Sequence, residues 1–231
     1  MTQPSGAQKP ETGRSLSKSV SIGLLLGGLF LGSILIWPEA FVVLAAAAAG
    51  AGAWELSSAL RTKSWYVPRV PATVGSVILM PVTYIWGAEG QWLAALTIVA
   101  ALIIWRLGIL LFGQPGSERD LKAAGKDFAA AAFLVIYVPL MTSFTVLILH
   151  SLPQGQWWVV TTITTVSFID TFGYLVGRKL GRHKMAPGVS PKKSWEGLIA
   201  SISAGSLVAI VGSLLLGRPW WFAILFAGSM L

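Results

Sequence analysis

Apolar residues gather in seven long blocks: Val20 to Trp37, Ala40 to Leu60, Val70 to Trp86, Gln91 to Phe112, Phe128 to Leu149, Trp157 to Gly177 and Trp195 to Leu216. A helix needs about 20 predominantly apolar residues to cross a bilayer, so each block predicts one transmembrane helix. An eighth block starts at Pro219 and has thirteen residues up to Leu231, which is short for a crossing. The pattern predicts an all-α polytopic membrane bundle of seven full transmembrane helices plus a partial eighth at 219–231. One integral membrane domain, 20–231, follows an arm, 1–19, whose polar, Gly-, Pro- and Ser-rich composition reads as disordered and cytoplasmic rather than as a signal peptide.

Composition agrees with that reading, since 55% of the 231 residues are hydrophobic, 11% are charged, and the mean hydropathy is +0.72. The formal charge of +8 then reports topology before any ligand, and nucleic-acid binding is not implied. Lys9, Arg14 and Lys18 lie in the arm, Arg61, Lys63 and Arg69 in the second loop, and Arg119, Lys122 and Lys126 in the fourth. The sixth loop holds Arg178, Lys179, Arg182, Lys184, Lys192 and Lys193. Of the remaining basic residues, Arg218 alone sits in an odd loop, and Arg106 is expected to snorkel to the inner end of its helix. By the positive-inside rule the N-terminus and the sixth loop face the cytoplasm, which places the chain in the cell membrane with a cytoplasmic active face. Trp37, Trp86, Trp92, Trp157, Trp158, Trp220 and Trp221 fall at the opposite helix ends, where indole rings favour the headgroup level. The absence of cysteine excludes disulfides and thiolate chemistry.

Carboxylates inside the apolar blocks are few. Asp170, in "TTVSFIDTFGYLVGRK", lies eight residues before Arg178, about 12 Å along a helix. At that depth it is expected to line a polar cavity with a partner. Asp170, Gly173, Tyr174 and Gly177 share one helix face by their spacing. Glu55, near the inner end of the second helix, either joins that cavity or reaches water. In "SPKKSWEG" Ser190 reads as an N-cap, Pro191 as the first helical residue, and Lys192 and Lys193 as the next two. Cations there oppose the helix dipole unless an anion sits at the helix start, where free N–H groups and ammonium groups converge on one phosphate-sized point. Glu196, four residues after Lys192, reads either as a helix ion pair or as a carboxylate beside a phosphate, ready to share a divalent cation. His183 has no second His or Cys nearby to make a metal site. No Walker A, GxGxxG, Ser/His/Asp or HExxH pattern occurs.

The segment "SFIDTFGYLVGRKLGRHKMAPGVSPKKSWEG", Ser167 to Gly197, resembles the central region of the phosphatidate cytidylyltransferases, or CDP-diglyceride synthetases. Members typically read Asp-Thr-x-Ala-Tyr, then Gly-Arg, Gly-Lys/Arg-His-Lys and Ser-Pro-Lys-Lys-Thr-Trp-Glu-Gly. "WELSSAL" near Trp54 is also similar. The resemblance implies cytidylyl transfer from CTP to phosphatidate, giving CDP-diacylglycerol and pyrophosphate, with Mg²⁺ or another divalent cation as cofactor. It assigns Lys192, Lys193, Ser190 and Arg178 to substrate phosphates, and Asp170 and Glu196 to the metal. The family's C-terminal pattern, ending in Asp-Arg-x-Asp and thought to hold the metals, is not found, so a truncated copy is expected and the catalytic residues are left unassigned. Phe172-Gly173 stands where the family often has Gly-Ala or Thr-Ala.

The expected partners are CTP, phosphatidate and the bilayer, with no nucleic acid and with homodimerisation left open. The alternative is a non-catalytic membrane protein, either a transporter for a phosphorylated solute or a degenerate scaffold, that keeps a cytoplasmic phosphate site. A transporter needs polar access from both faces, whereas the odd loops carry almost no charge. No internal repeat suggests an inverted-repeat transporter.

Overall fold

The computed structural model describes residues 16–112, 121–186, 188 and 190–230; most of the predicted arm lies outside these. The order is α1 (Leu16–Ile36), α2 (Pro38–Thr62), α3 (Arg69–Phe112), α4 (Leu121–Val135), α5 (Met141–Ser151), α6 (Gly155–Leu180), β1 (Lys184–Ala186), β2 (Ser190–Ser194), α7 (Trp195–Leu215) and α8 (Trp220–Met230). A π-helical turn, Ile136–Leu140, joins α4 to α5. It contains Pro139, whose missing N–H breaks the ordinary α-helical ladder.

The expected seven full transmembrane helices with a partial eighth are corrected. Among the described residues, five helices are long and apolar enough to cross a membrane: Pro38–Thr62, Arg69–Phe112, Ala124–Ser151, Gly155–Leu180 and Trp195–Leu215. Among the described residues, the first and eighth apolar blocks contribute the shorter apolar helices Leu25–Ile36 and Trp220–Ser229. The third and fourth blocks merge into the 44-residue α3, whose helical geometry is interrupted at Gly87. Straight, α3 would span about 66 Å at about 1.5 Å per residue, twice a hydrocarbon core of about 30 Å. It folds back instead, because Gly87 adopts φ 61° and ψ −144°, a conformation that side chains rarely allow. A methyl group on Gly75 would lie 2.8 Å from Ile98 Cγ2, so the two halves pack closely against each other.

The bundle is all-α apart from one short hairpin. β1 and β2 pair antiparallel, with Lys184 opposite Ser194 and Ala186 opposite Ser190. The hairpin sits between α6 and α7, where the sequence suggested only a polar loop followed by a helix start.

Small residues set the centre of the bundle. α2 buries Ala45, Ala46, Ala49, Gly50, Ala53 and Ser57, and a methyl group on Gly50 would lie 2.8 Å from Val77 Cγ2 of α3. Such residues let helix backbones approach where lipid removes most of the hydrophobic drive for association. Leu79, Met80 and Leu102 of α3 and Leu134 of α4 complete this core with Val146 of α5 and Val159 of α6.

Arg106 does not snorkel. Its side chain is 2% exposed and its Nε donates to Asp127 Oδ2 at 2.7 Å, where Asp127 is 3% exposed. Asp127 Oδ1 accepts the backbone N–H of Tyr66 at 2.6 Å, tying the α2–α3 connection to α4. Long guanidinium side chains snorkel when no partner is within reach, and here a buried carboxylate is the partner. Of the predicted interfacial tryptophans, Trp158 is instead buried, at 6% exposure, edge-on to Phe222 and Phe226 of α8.

Candidate functional site

Because α3 folds back on itself, its two ends lie at one face of the bundle. The α4–α5 run crosses away from that face and α6 returns, so the end of α6 lies beside the hairpin and the start of α7. A glycine seam brings these helices together. A methyl group on Gly197 of α7 would lie 2.9 Å from the Gly173 carbonyl oxygen and 3.1 Å from Gly177 Cα of α6. Ser201 Oγ of α7 donates to the Ile169 carbonyl at 2.9 Å, adding a cross-helix bond at the same seam.

The seam opens into a cavity of about 970 Å³. Asp170, Tyr174 and Arg178 of α6 line it, together with Ser190, Lys193 and Ser194 of β2, Lys184 and Met185 of β1, and Leu198 and Ser201 of α7. Three cations and one carboxylate thus surround a space within the usual size range of ligand sites. The carboxylate of Asp170 is exposed and makes no hydrogen bond or ion pair with the described residues. Two turns closer to the hairpin, Arg178 Nη1 donates to Tyr174 Oη at 2.9 Å, with its guanidinium 5.9 Å from the ring centre. Tyr174 therefore anchors one nitrogen of the guanidinium and leaves the other donors to the cavity.

The expected helix start at Ser190 shifts to Ser194. Ser194 has extended geometry at φ −132° and ψ 155°, and its Oγ accepts the Gly197 N–H at 3.2 Å, so it is the N-cap of α7. Ser190, Lys192 and Lys193 belong to strand β2. Three physical terms favour this register. Pro191 pushes Ser190 toward extended geometry, the strand keeps two cations off the positive end of the dipole, and Glu196 then occupies the first helical turn, where an anion is favoured. Ser190 and Lys193 still reach the cavity, from the hairpin rather than from a helix end. Lys192 is placed by its backbone; its side chain lies outside the described residues.

Glu196 does not line the cavity. Its Oε1 is 2.7 Å from His183 Nδ1 and accepts the His183 N–H at 3.1 Å, while the His183 carbonyl accepts the Trp195 N–H at 3.0 Å. The pair fastens the base of the hairpin to the start of α7. Glu55 is exposed on α2 and is absent from the cavity wall. Among the described residues no group of three or more His, Cys, Asp or Glu is placed to hold a metal, so Asp170 is the one cavity carboxylate available to a cation.

Sequence reasoning passed over Ser194, Ser201 and Lys184 as site residues. Ser194 had a signal, a Ser directly before an apolar run with an acid in its first turn. The other two reach the cavity only through the seam and the strand pairing, which are not local in sequence.

Comparison with known proteins adds a second line. The model of the cytidylyltransferase family matches residues 17–231. Phosphatidate cytidylyltransferase of Mycobacterium bovis is 29% identical over 232 residues, covering 96% of this chain and 74% of that protein. Its counterpart in Mycobacterium leprae is 30% identical over 224 residues, covering 94% and 72%. The one in Chlamydia pneumoniae is 24% identical over 169 residues, covering 69% and 54%. A match that runs through every described helix and includes the whole cavity wall makes this membrane protein a member of the cytidylyltransferase family, a nucleotidyltransferase of phospholipid biosynthesis.

Proposed function

We propose that the α6–hairpin–α7 cavity binds the triphosphate of CTP and the phosphate of phosphatidate, and that the chain transfers a cytidylyl group between them. The observation that carries this reading is the convergence of Arg178, Lys184 and Lys193 on one cavity beside Asp170. In the reaction a phosphatidate oxygen forms a new bond to the α-phosphorus of CTP. The bond from that phosphorus to the bridging oxygen breaks, and pyrophosphate leaves with the bonding electrons. The attacking monoester is already anionic, so the demand is for charge neutralisation and in-line placement rather than for a strong base. Arg178, Lys193 and the hydroxyl of Ser190 meet that demand as phosphate ligands, Lys192 is assigned to the same role, and Tyr174 steadies Arg178.

Asp170 would hold a divalent cation. A hard cation such as Mg²⁺ is commonly bound by one or two carboxylates together with substrate phosphates, which suits a single unpaired carboxylate in a cationic cavity. When bound, the cation neutralises charge on the phosphoryl oxygens. Glu196 is engaged by His183, so we assign it to holding the hairpin and leave the metal to Asp170. The positive-inside distribution supports a cytoplasmic cavity in a cell membrane, with 20–231 as one membrane domain.

The test is transfer of label from CTP into lipid in phosphatidate mixed micelles, combined with CTP binding by Arg178→Ala and Lys193→Ala variants. Each variant should weaken CTP binding about tenfold, since a charge-assisted hydrogen bond is worth about 1.5–3 kcal/mol. Unchanged CTP affinity in both would overturn the phosphate-site reading, and a folded chain that binds CTP but labels no lipid would overturn the transfer reading.

A further inference from the structure

A second cationic cluster occupies the same face of the bundle, outside the cavity wall. Arg61 ends α2, Arg69 begins α3 and Arg106 lies near the end of α3, so the fold-back at Gly87 brings the last two to one face. Tyr66 lies against Arg61 and Arg106, while the Arg69 guanidinium is 5.7 Å from the Trp54 ring centre. The Arg61 guanidinium is 4.9 Å from the Tyr66 ring centre and the Arg106 guanidinium 5.3 Å. Arg61 Nε donates to the Val67 carbonyl at 3.2 Å.

The charges and donors here are not balanced. Asp127 is the one carboxylate bonded to the cluster among the described residues, and it accepts from Arg106 Nε and the Tyr66 backbone N–H but from neither Nη of Arg106. Arg106 Nη1 and Nη2 and Arg69 Nε are buried with no acceptor. Two guanidinium groups share one aromatic ring while a single carboxylate offsets them, and like charges held that close in a region of low dielectric repel unless an anion intervenes. Buried N–H donors without acceptors also carry a desolvation cost that a bound acceptor removes.

We infer that Arg61, Arg69 and Arg106 form a second binding site for a phosphate oxyanion, distinct from the α6–α7 cavity and not needed for the cavity's role. Guanidinium pairs with phosphate through two parallel N–H bonds, and Arg106 keeps both Nη groups for such a fork because Asp127 uses Nε alone. Arg61 and Arg69 are only partly buried, which leaves the cluster open on their side. The Tyr66 ring stands against both Arg61 and Arg106. The phosphate belongs either to an anionic lipid headgroup or to a soluble phosphate.

The experiment measures thermal unfolding of the full chain in detergent, titrated separately with phosphatidylglycerol, with zwitterionic phosphatidylcholine and with inorganic phosphate. Wild type, Arg69→Gln, Arg106→Lys and Lys193→Ala are compared. A rise in Tm with phosphatidylglycerol but not phosphatidylcholine is expected. Its half-saturation should move about tenfold in Arg69→Gln and Arg106→Lys and stay put in Lys193→Ala, which alters the cavity. The same pattern with inorganic phosphate supports the site and names a soluble ligand. No shift with either anionic probe, equal shifts in all four proteins, or a loss confined to Lys193→Ala would each overturn it. Arg69→Gln removes a partly exposed side chain and keeps the test valid if Arg106→Lys fails to fold.

Discussion

Replacing Gly197 with alanine puts the smallest side chain at the tightest point of the site. The added methyl group would lie 2.9 Å from the Gly173 carbonyl oxygen, 3.1 Å from Gly177 Cα and 3.3 Å from Ser194 Oγ. Two of these atoms are backbone of α6, so no rotamer change relieves them. Ordinary contact begins near 3.4 Å, so α6 and α7 must separate by about half an ångström along a seam that also carries the Ser201–Ile169 hydrogen bond. Overpacking of this kind costs about 1–3 kcal/mol. Gly125 of α4 supplies the control, since nothing lies within 4 Å of a methyl group there. Gly125→Ala should therefore be neutral or stabilising by up to about 1 kcal/mol, because alanine loses less conformational freedom than glycine in a helix. Denaturant or thermal unfolding in one detergent reads both variants, and CTP affinity gives a second readout because Gly173, Gly177 and Gly197 line the cavity. Gly197→Ala should lose stability and bind CTP more weakly. Equal stability of Gly197→Ala and wild type to within about 0.5 kcal/mol would refute the close-packed seam.

Three further outcomes follow from single contacts. Ser194→Ala removes the N-cap of α7 and should destabilise the protein by about 1 kcal/mol in the same unfolding assay. Asp170→Asn should raise the Mg²⁺ concentration needed for CTP binding about tenfold while Glu196→Gln leaves it unchanged, as read by titrating Mg²⁺ at fixed CTP; a larger effect at Glu196 would return the metal to that residue. Asp127→Ala leaves Arg106 buried without its carboxylate and deprives the Tyr66 N–H of its acceptor, so a loss of about 3–5 kcal/mol is expected, against near-zero effect for Glu55→Ala on the exposed face of α2.

The sequence by itself determined that the chain lives in a bilayer and where its long apolar blocks fall, and it set Asp170, Arg178, Ser190 and Lys193, which line one cavity, within one contiguous segment. Hydropathy sums locally, and the thirty-residue resemblance is contiguous, so neither needs the fold. Tertiary structure decided what those residues touch. "SPKKS" became a strand because it could pair with Lys184–Ala186, an option that local capping grammar does not weigh. Glu196 had two local readings, a lysine four residues earlier or a metal, and took His183 thirteen residues away. Arg106 stayed inside because Asp127, on another helix, pairs with it there. The count of separate helices differed for a related reason: one glycine conformation at Gly87 joins two apolar blocks in a single folded-back helix, and a hydropathy profile records no dihedral angle.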